Sequence, residues 1–356
     1  MGTGKLRKLK IGYLPISDNL CSAGDRRRLI FWANSRGHEI VTNIDQSVDL
    51  IVATVNSNFN SSCFQKKNVP LVFDLVDAYL SPLNTFDDFG RGFAKKLSGQ
   101  IGGIVKPFSH HIKEFCGLSN AVICSSPEQK LLIDPYNPNT HAILDSHDEI
   151  EFIDPVKERI QISKNRKLLW EGQPATIRGI REIYPVLSEF AVENDLNFDF
   201  VTDVNYFQFL NKYVQRSTFK LLKKDLHGLS SRANVIPWSP NNLVNSSRKS
   251  FAAIIPIDVS IPMQRLKPEN RLLIMWRLGL PCLTSPTPAY ERVANQARTL
   301  TVCNNSSEWS EVLNQILNDP DFAFSQIEAG QNYVRENHTK SQLLKKWDFA
   351  IDSVMS

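Results

Sequence analysis

Two stretches in the second half of this 356-residue chain combine a glycine turn, a cation and outward-pointing main-chain amides, the ingredients of an anion grip. In LLWEGQPATIRGI (168–180), Gly172 closes a short apolar run, and Arg178 and Gly179 follow it. A glycine turn after a strand lets the main chain approach a ligand, and a cation at the next helix start can neutralise a diphosphate. In RLKPENRLLIMWRLGLPCLTSPTPAY (265–290), Pro268 suits the first turn of a helix. The amides of Glu269, Asn270 and Arg271 would then point out of the helix N-terminus, an arrangement that binds phosphate. Metal chemistry has no comparable support. The six cysteines (21, 63, 116, 124, 282 and 303) stand far apart with no C-x-x-C pair, and His110 and His111 have no partner at ligand spacing. The cysteines read as reduced, mostly buried thiols.

The elements that would position these residues alternate. LKIGYLPI (9–16), HEIVTN (38–43), DLIVATV (49–55), VPLVFDLV (69–76) and NAVICSS (120–126) are short apolar runs ending in polar residues, as fully buried parallel strands do. Helical patterns lie between them, including RRRLIFWANSRG (26–37), whose Leu29, Ile30 and Ala33 fit a helix closed by Gly37, and others over 91–99 and 127–134. A polar, charged stretch over 145–165 follows. A second series then runs through strand 167–172, a helix over 180–194, strand 198–203, a helix over 208–223, strands 234–238 and 251–257, a helix from Pro268, strands 281–285 and 299–302, and helical segments 307–318 and 322–354 broken near Asn337. The fold class is therefore α/β, two Rossmann-like doubly wound domains facing a cleft. The domains read as 1–155 and 156–335, with 336–356 a C-terminal helix that crosses back to the first.

The chain is 42% hydrophobic and 22% charged, an ordinary globular composition, and its longest apolar run, 251–256, is far too short to span a bilayer. The N-terminal stretch lacks a signal-peptide core and cleavage site, and Leu6 breaks the myristoylation pattern. A cytoplasmic protein is expected. The net charge of +4 is concentrated in Lys5, Arg7, Lys8 and Lys10, in Arg26, Arg27 and Arg28, and in Lys95 and Lys96. These clusters suit a solvated face or docking on the anionic inner face of a membrane. Nucleic acid is not an expected partner, because aromatic and basic residues do not interleave as base-stacking surfaces require.

Read together and in order, these stretches resemble the GT-B glycosyltransferases, particularly the retaining glycosyltransferase family 4, or group 1, enzymes of bacterial polysaccharide synthesis. LLWEGQPATIRGI looks like that family's strand and Gly-Arg-Leu-x-x-x-Lys-Gly turn, with Gly172, Arg178 and Gly179 in register and Gln173 where an arginine is usual. The 265–290 block resembles the helix, Gly-x-Pro and strand that follow, with Gly279 and Pro281. The family's two glutamates would fall on Leu266 and Ile274, so both carboxylates are absent. Asp258 and Glu269 are the nearest acidic replacements, and Lys267 or Arg271 could supply the missing cation. VIPWSPNNL (235–243) is similar to the base-lining loop, which makes Trp238 a wall and Ser239 a main-chain contact. SAGDRRRLIFWANSRGHEI (22–40) looks like the glycine loop, with Gly24 and Asp25 facing the donor and His38 architectural. After the fourth strand the resemblance implies a catalytic acidic group, Asp77 first and Asp74 second, and it matches Asp145 and Asp148 to positions before the hinge. His110 and His111 would line the acceptor side.

The resemblance implies transfer of a sugar from a nucleoside diphosphate to an acceptor hydroxyl, with retention, and with Asp77, Arg178 and Lys267 as the catalytic set. The donor is a substrate, and neither cofactor nor metal is expected. The acceptor would be a saccharide, free or lipid-linked. Two alternatives stand beside this reading. One is a GT-B epimerase or phosphorylase recruiting Asp77 with His147. The other is a basic nucleic-acid- or membrane-binding protein without catalysis.

Overall fold

The computed structural model describes residues 8–44, 47–60, 64, 69–82, 85–158, 162–208 and 214–355. They form two compact units, residues 1–146 with 340–356, and residues 147–339. The sequence places the first boundary after residue 155; the contacts divide the chain after Ser146, because Ile150 and Ile153 already accept hydrogen bonds from residues of the second unit, Arg277 and Gln331.

The first unit is built on a wholly parallel six-stranded sheet: β1 (Lys10–Leu14), β2 (Glu39–Val41), β3 (Leu50–Thr54), β4 (Leu71–Leu75), β5 (Ala121–Cys124) and β6 (Thr140–Ala142), ordered β2-β1-β3-β4-β5-β6. Strands β3, β4 and β5 are buried along their whole length, which is why they read as unbroken apolar runs rather than alternating ones. Their side chains alternate between two cores. Ile11, Tyr13, Leu50 and Val52 pack with Leu29, Trp32, Trp347 and Ile351, and Ile51, Ala53 and Phe73 pack with Phe108, Ile112 and Phe115. The C-terminal helix Lys340–Met355 belongs to the first of these cores: the Trp32 and Trp347 rings lie 5.9 Å apart, and Trp32 Nε1 donates to Asp348 at 2.8 Å. Strand β6 has no counterpart in the sequence reading; THA is too short and too polar to register.

The second unit carries a parallel five-stranded sheet of β7 (Lys167–Glu171), β8 (Asn197–Thr202), β11 (Ala233–Pro237), β12 (Ala252–Ile255) and β13 (Cys282–Thr284), ordered β11-β8-β7-β12-β13. A separate antiparallel pair, β9 (Asn205–Gln208) with β10 (Val214–Ser217), takes residues 208 and 214–217 of the helix expected over 208–223; Thr218–Asp225 is helical, and residues 209–213 lie outside the described residues. The strand expected over 299–302 reduces to a single bridge, Thr284 with Val302. In both sheets the winding reverses at a definite place. In the first it is between β1 and β3, in the second between β7 and β12. Ligands of doubly wound folds bind outside the carboxyl ends of the strands at such a reversal.

Candidate functional site

In the second unit the residues singled out from the sequence collect at the carboxyl ends of β7 and β12. Gly172 leaves β7 with φ +155, a conformation side-chain-bearing residues rarely adopt, and a Cβ there would stand 2.9 Å from Arg271 Nη1. Arg271 in turn donates to the Glu171 carbonyl at 3.1 Å, so the turn and the helix Asn270–Arg277 are fastened together. Gln173 is exposed, and its carbonyl accepts the Thr176 amide at 2.9 Å and hydroxyl at 2.8 Å. Arg178 rides on a 3-10 segment, Pro174–Ile183, rather than on an α-helix start. Its side chain is 44% exposed and lies 3.6 Å from Asp258, which follows β12 and also binds the Ser260 amide and hydroxyl. Gly179 has a packing reason: a Cβ would meet the Pro256 carbonyl oxygen at 2.3 Å. It lets the segment bearing Arg178 lie directly on the exit of β12.

The helix expected from Pro268 starts two residues later, at Asn270, with a separate short helix at Pro262–Arg265 before it. Glu269 takes the N-cap position without a side-chain cap bond; it is buried, and its Oε1 lies 3.1 Å from Arg292 Nη2. Asn270 Oδ1 lies 3.0 Å from Nε2 of His147, the buried histidine that the epimerase alternative would recruit as a base. Lys267 is half-buried in the turn before the helix, its amide on the Gln264 carbonyl. Ser239 spends its hydroxyl capping the helix Pro240–Ser247, where it accepts from the Asn242 amide. Trp238 is half-buried, and its indole N–H donates to Glu171 Oε1 at 2.9 Å.

That last bond exposes a residue the sequence reading passed over. Glu171 ends β7 with only 7% of its surface exposed; its Oε2 has no hydrogen-bond partner among the described residues. The hydroxyls of Thr202 and Thr284, the last residues of β8 and β13, are buried and similarly unpartnered among the described residues. All three stand at the carboxyl ends of strands in one sheet, the side on which doubly wound folds bind ligands. The available signal in the sequence was a carboxylate closing an otherwise apolar strand, Trp-Glu-Gly.

In the first unit the acidic residues are largely committed to structure. Asp25 is completely buried, accepting from the Tyr13 hydroxyl at 2.6 Å, the amides of Ile16 (2.7 Å) and Ser17 (3.0 Å), and the hydroxyls of Ser17 and Ser22 at 2.6 Å. The carboxylate thus ties the glycine loop, and burial with the neighbouring charges of Asp74 and Asp25 pushes the Tyr13 phenol up. Gly24 sits inside the same knot, where a Cβ would meet Ile16 Cδ1 at 2.4 Å. Asp74 holds Arg28 through Nη2 at 2.6 Å and Nε at 3.0 Å, both side chains wholly buried, with Asp145 on Nη1 at 3.1 Å. Asp77, just beyond β4, is half-buried, and its charge adds to burial in raising the Tyr79 phenol. The Arg26–Arg28 cluster is therefore not a solvated face. Arg28 is fully buried, Arg27 is 7% exposed, and Arg26 donates to the Cys21 carbonyl at 2.7 Å. His110 and His111 lie on the helix Phe108–Leu118, both beside Glu114. Cys21 is exposed and Cys116, Cys124, Cys282 and Cys303 are buried free thiols, whereas Cys63 lies outside the described residues.

No protein-family model matches the chain, and no curated protein matches it in sequence. Solved structures do. HepE of Anabaena in complex with UDP-glucose is 12% identical, with a TM-score of 0.63 over 97% of this chain and 100% of that one. WaaG, a glycosyltransferase involved in lipopolysaccharide biosynthesis, is 12% identical with a TM-score of 0.59, covering 96% and 99%. TarM, also solved from S. aureus with fondaparinux, alpha-GlcNAc-glycerol and UDP, is 10% identical with a TM-score of 0.59 over 85% of this chain. The chain spans 54% of TarM, about half its length. At such identities the likeness is one of fold, and the fold is the two-domain GT-B arrangement.

Proposed function

We propose that this chain is a glycosyltransferase that moves a sugar from a nucleoside diphosphate to an acceptor hydroxyl. The observation that supports the reading is that Arg178, Arg271 and the N-terminus of the helix Asn270–Arg277 lie at the β7 and β12 ends of a GT-B fold. In the reaction, the bond between the anomeric carbon and the diphosphate oxygen breaks with its electrons going to the diphosphate. The acceptor oxygen bonds to that carbon, and its proton passes to the departing diphosphate. Charge grows on the leaving group, and fixed cations and main-chain amides stabilise it without reorganising. Because those cations meet the diphosphate charge, the reading asks for neither metal nor cofactor and predicts turnover in the presence of a chelator.

Glu171 fits the role left open by Leu266 and Ile274. It is an acceptor beside an indole at the same edge, suited to an N–H or O–H of the nucleoside. Retention of anomeric configuration follows the family resemblance and is the expected outcome. HepE has been solved with UDP and with UDP-glucose, and TarM with UDP, so uridine diphosphate and its sugars are the first donors to try. A saccharide or lipid-linked saccharide acceptor, and a place in surface polysaccharide or glycolipid synthesis at the inner face of a membrane, complete the proposal.

Calorimetric titration with a panel of nucleoside diphosphates tests it, repeated on Arg178→Ala. A charge-assisted hydrogen bond contributes about 1.5–3 kcal/mol, so the variant should bind roughly ten- to a hundredfold more weakly. Its stability should change by less than about 1 kcal/mol, since the pair with Asp258 is partly solvated. Absence of any nucleoside diphosphate binding to the wild type would overturn the assignment.

A further inference from the structure

The helix Thr85–Leu97 is turned inside out relative to its sequence pattern. Its polar and small residues face the protein. Asp88, 7% exposed, accepts the Ser109 amide at 2.9 Å and hydroxyl at 2.5 Å. Gly92 is buried so closely against the chain that a Cβ would stand 2.0 Å from the Lys106 carbonyl oxygen. Lys95 reaches Asn56 Oδ1 at 3.3 Å and lies 5.5 Å over the Phe108 ring. Those three recur at helical spacing. On the other side Phe86 is 85% exposed, Phe89 47%, Phe93 52% and Leu97 68%. Their numbering also advances by three or four, so they form one stripe about 16 Å long at 1.5 Å per residue. Ile104, 82% exposed, extends it from the following loop, which Lys96 Nζ ties to the helix through the Gly103 carbonyl at 2.6 Å.

A surface helix ordinarily buries its apolar face. Exposing four large apolar side chains in line is unfavourable in water unless something covers them. Charge selects the occupant. On this helix exposed Arg91 and Lys96 stand against exposed Asp87, since the Asp88 carboxylate is turned inward to Ser109, and in the loop beyond Lys106 is paired with exposed Glu114 at 3.1 Å. An apolar stripe on a helix whose exposed cations outnumber its exposed carboxylates is the pattern of a helix that lies in the plane of an anionic bilayer, its rings in the acyl boundary and its cations among the head groups.

We propose that the face formed by Phe86, Phe89, Phe93, Leu97 and Ile104, on a helix that also carries exposed Arg91 and Lys96, docks this protein on an anionic lipid surface. The assignment rests on the helix alone and is independent of the sugar-transfer reading. Of the charge clusters expected to make a membrane contact, Arg27 and Arg28 are buried, Lys5 and Arg7 lie outside the described residues, and Lys95 and Lys96 are on this helix.

The test is co-sedimentation of the full chain with phosphatidylcholine vesicles and with phosphatidylcholine–phosphatidylglycerol vesicles, alongside light scattering of the protein alone over a concentration series. Binding to the anionic vesicles is expected, weakened by salt and absent from the neutral ones. The triple variant Phe86→Ser, Phe89→Ser, Phe93→Ser should lower that partition about tenfold or more while keeping its circular dichroism spectrum and nucleotide binding. The single loop variant Ile104→Ser, which touches no helix residue, should lower it less. Equal partition of wild type and triple variant would overturn the proposal. So would concentration-dependent self-association that the same variant abolishes, which would make a second copy of the chain the occupant.

Discussion

Substituting Gly179 by alanine separates a ligand glycine from a packing glycine. The added Cβ would stand 2.3 Å from the Pro256 carbonyl oxygen, 2.9 Å from its carbonyl carbon and 3.2 Å from Ile257 Cα. A carbon and a carbonyl oxygen rest at about 3.3 Å, so the two must separate by about 1 Å. The obstructing atoms are main chain and cannot rotate aside. Overpacking of this kind costs about 1–3 kcal/mol, and the reduced freedom of the unfolded alanine chain returns about 0.4–1 kcal/mol, which leaves a net loss of roughly 1–2 kcal/mol. Gly228 supplies the control. It lies in another 3-10 segment, His227–Arg232, with nothing within 4 Å of a Cβ and no positive φ, so Gly228→Ala should gain about 0.4–1 kcal/mol. Urea unfolding of the three proteins, read as shifts in midpoint at constant slope, measures both. Because Arg178 is the neighbouring residue and Asp258 follows Ile257, the displaced segment should also weaken nucleoside diphosphate binding in Gly179→Ala. If Gly179→Ala is as stable as Gly228→Ala, the close approach to β12 is wrong and the placement of Arg178 falls with it.

Asp74→Ala should destabilise the first unit by about 3 kcal/mol or more in the same assay, because among the described residues it leaves the buried Arg28 guanidinium with only Asp145 as an ionic partner. A loss below about 1 kcal/mol would mean that the ion pair is not sealed from solvent. His38 accepts the Leu9 amide at 3.2 Å through Nδ1, and burial holds its pKa below the usual 6.5. The folded state therefore disfavours the proton that the unfolded chain takes up. The sign is a stability fully present above the unfolded pKa and lost as pH falls through it, by at most about 1.4 kcal/mol per pH unit. His38→Asn should flatten that part of the pH profile; an unchanged profile would assign the dependence to other groups.

Much of the architecture was legible in the chain because buried parallel strands are unmistakable: LIVAT, LVFDL and AVIC have no polar face to hide. The turn after β7 was legible for a related reason. Gly172, Arg178 and Gly179 are a local pattern, fixed by the geometry of one strand and the turn after it. What failed was either short or non-local. THA in β6 carries no periodicity, and the β9–β10 pair competes with a helix through pairing between residues apart in sequence. Charge was legible as a number and not as a surface. Arg28 looked like part of a basic patch because nothing near it in sequence reveals that Asp74 and Asp145 wait for it in the fold.

The sequence by itself determined the alternating α/β order, the doubled sheet and the main-chain turn that could grip a diphosphate. These are consequences of side-chain period and of the few conformations open to glycine and proline. Only the tertiary structure decided which charged and apolar groups face outward. It buried Arg28, spent Asp25 and Ser239 on their own loops, left Glu171 with an unpaired oxygen among the described residues and turned the phenylalanines of Thr85–Leu97 to the solvent. The physical reason is that burial belongs to the neighbours a residue acquires in space, and those come from elements that its own stretch of sequence does not contain.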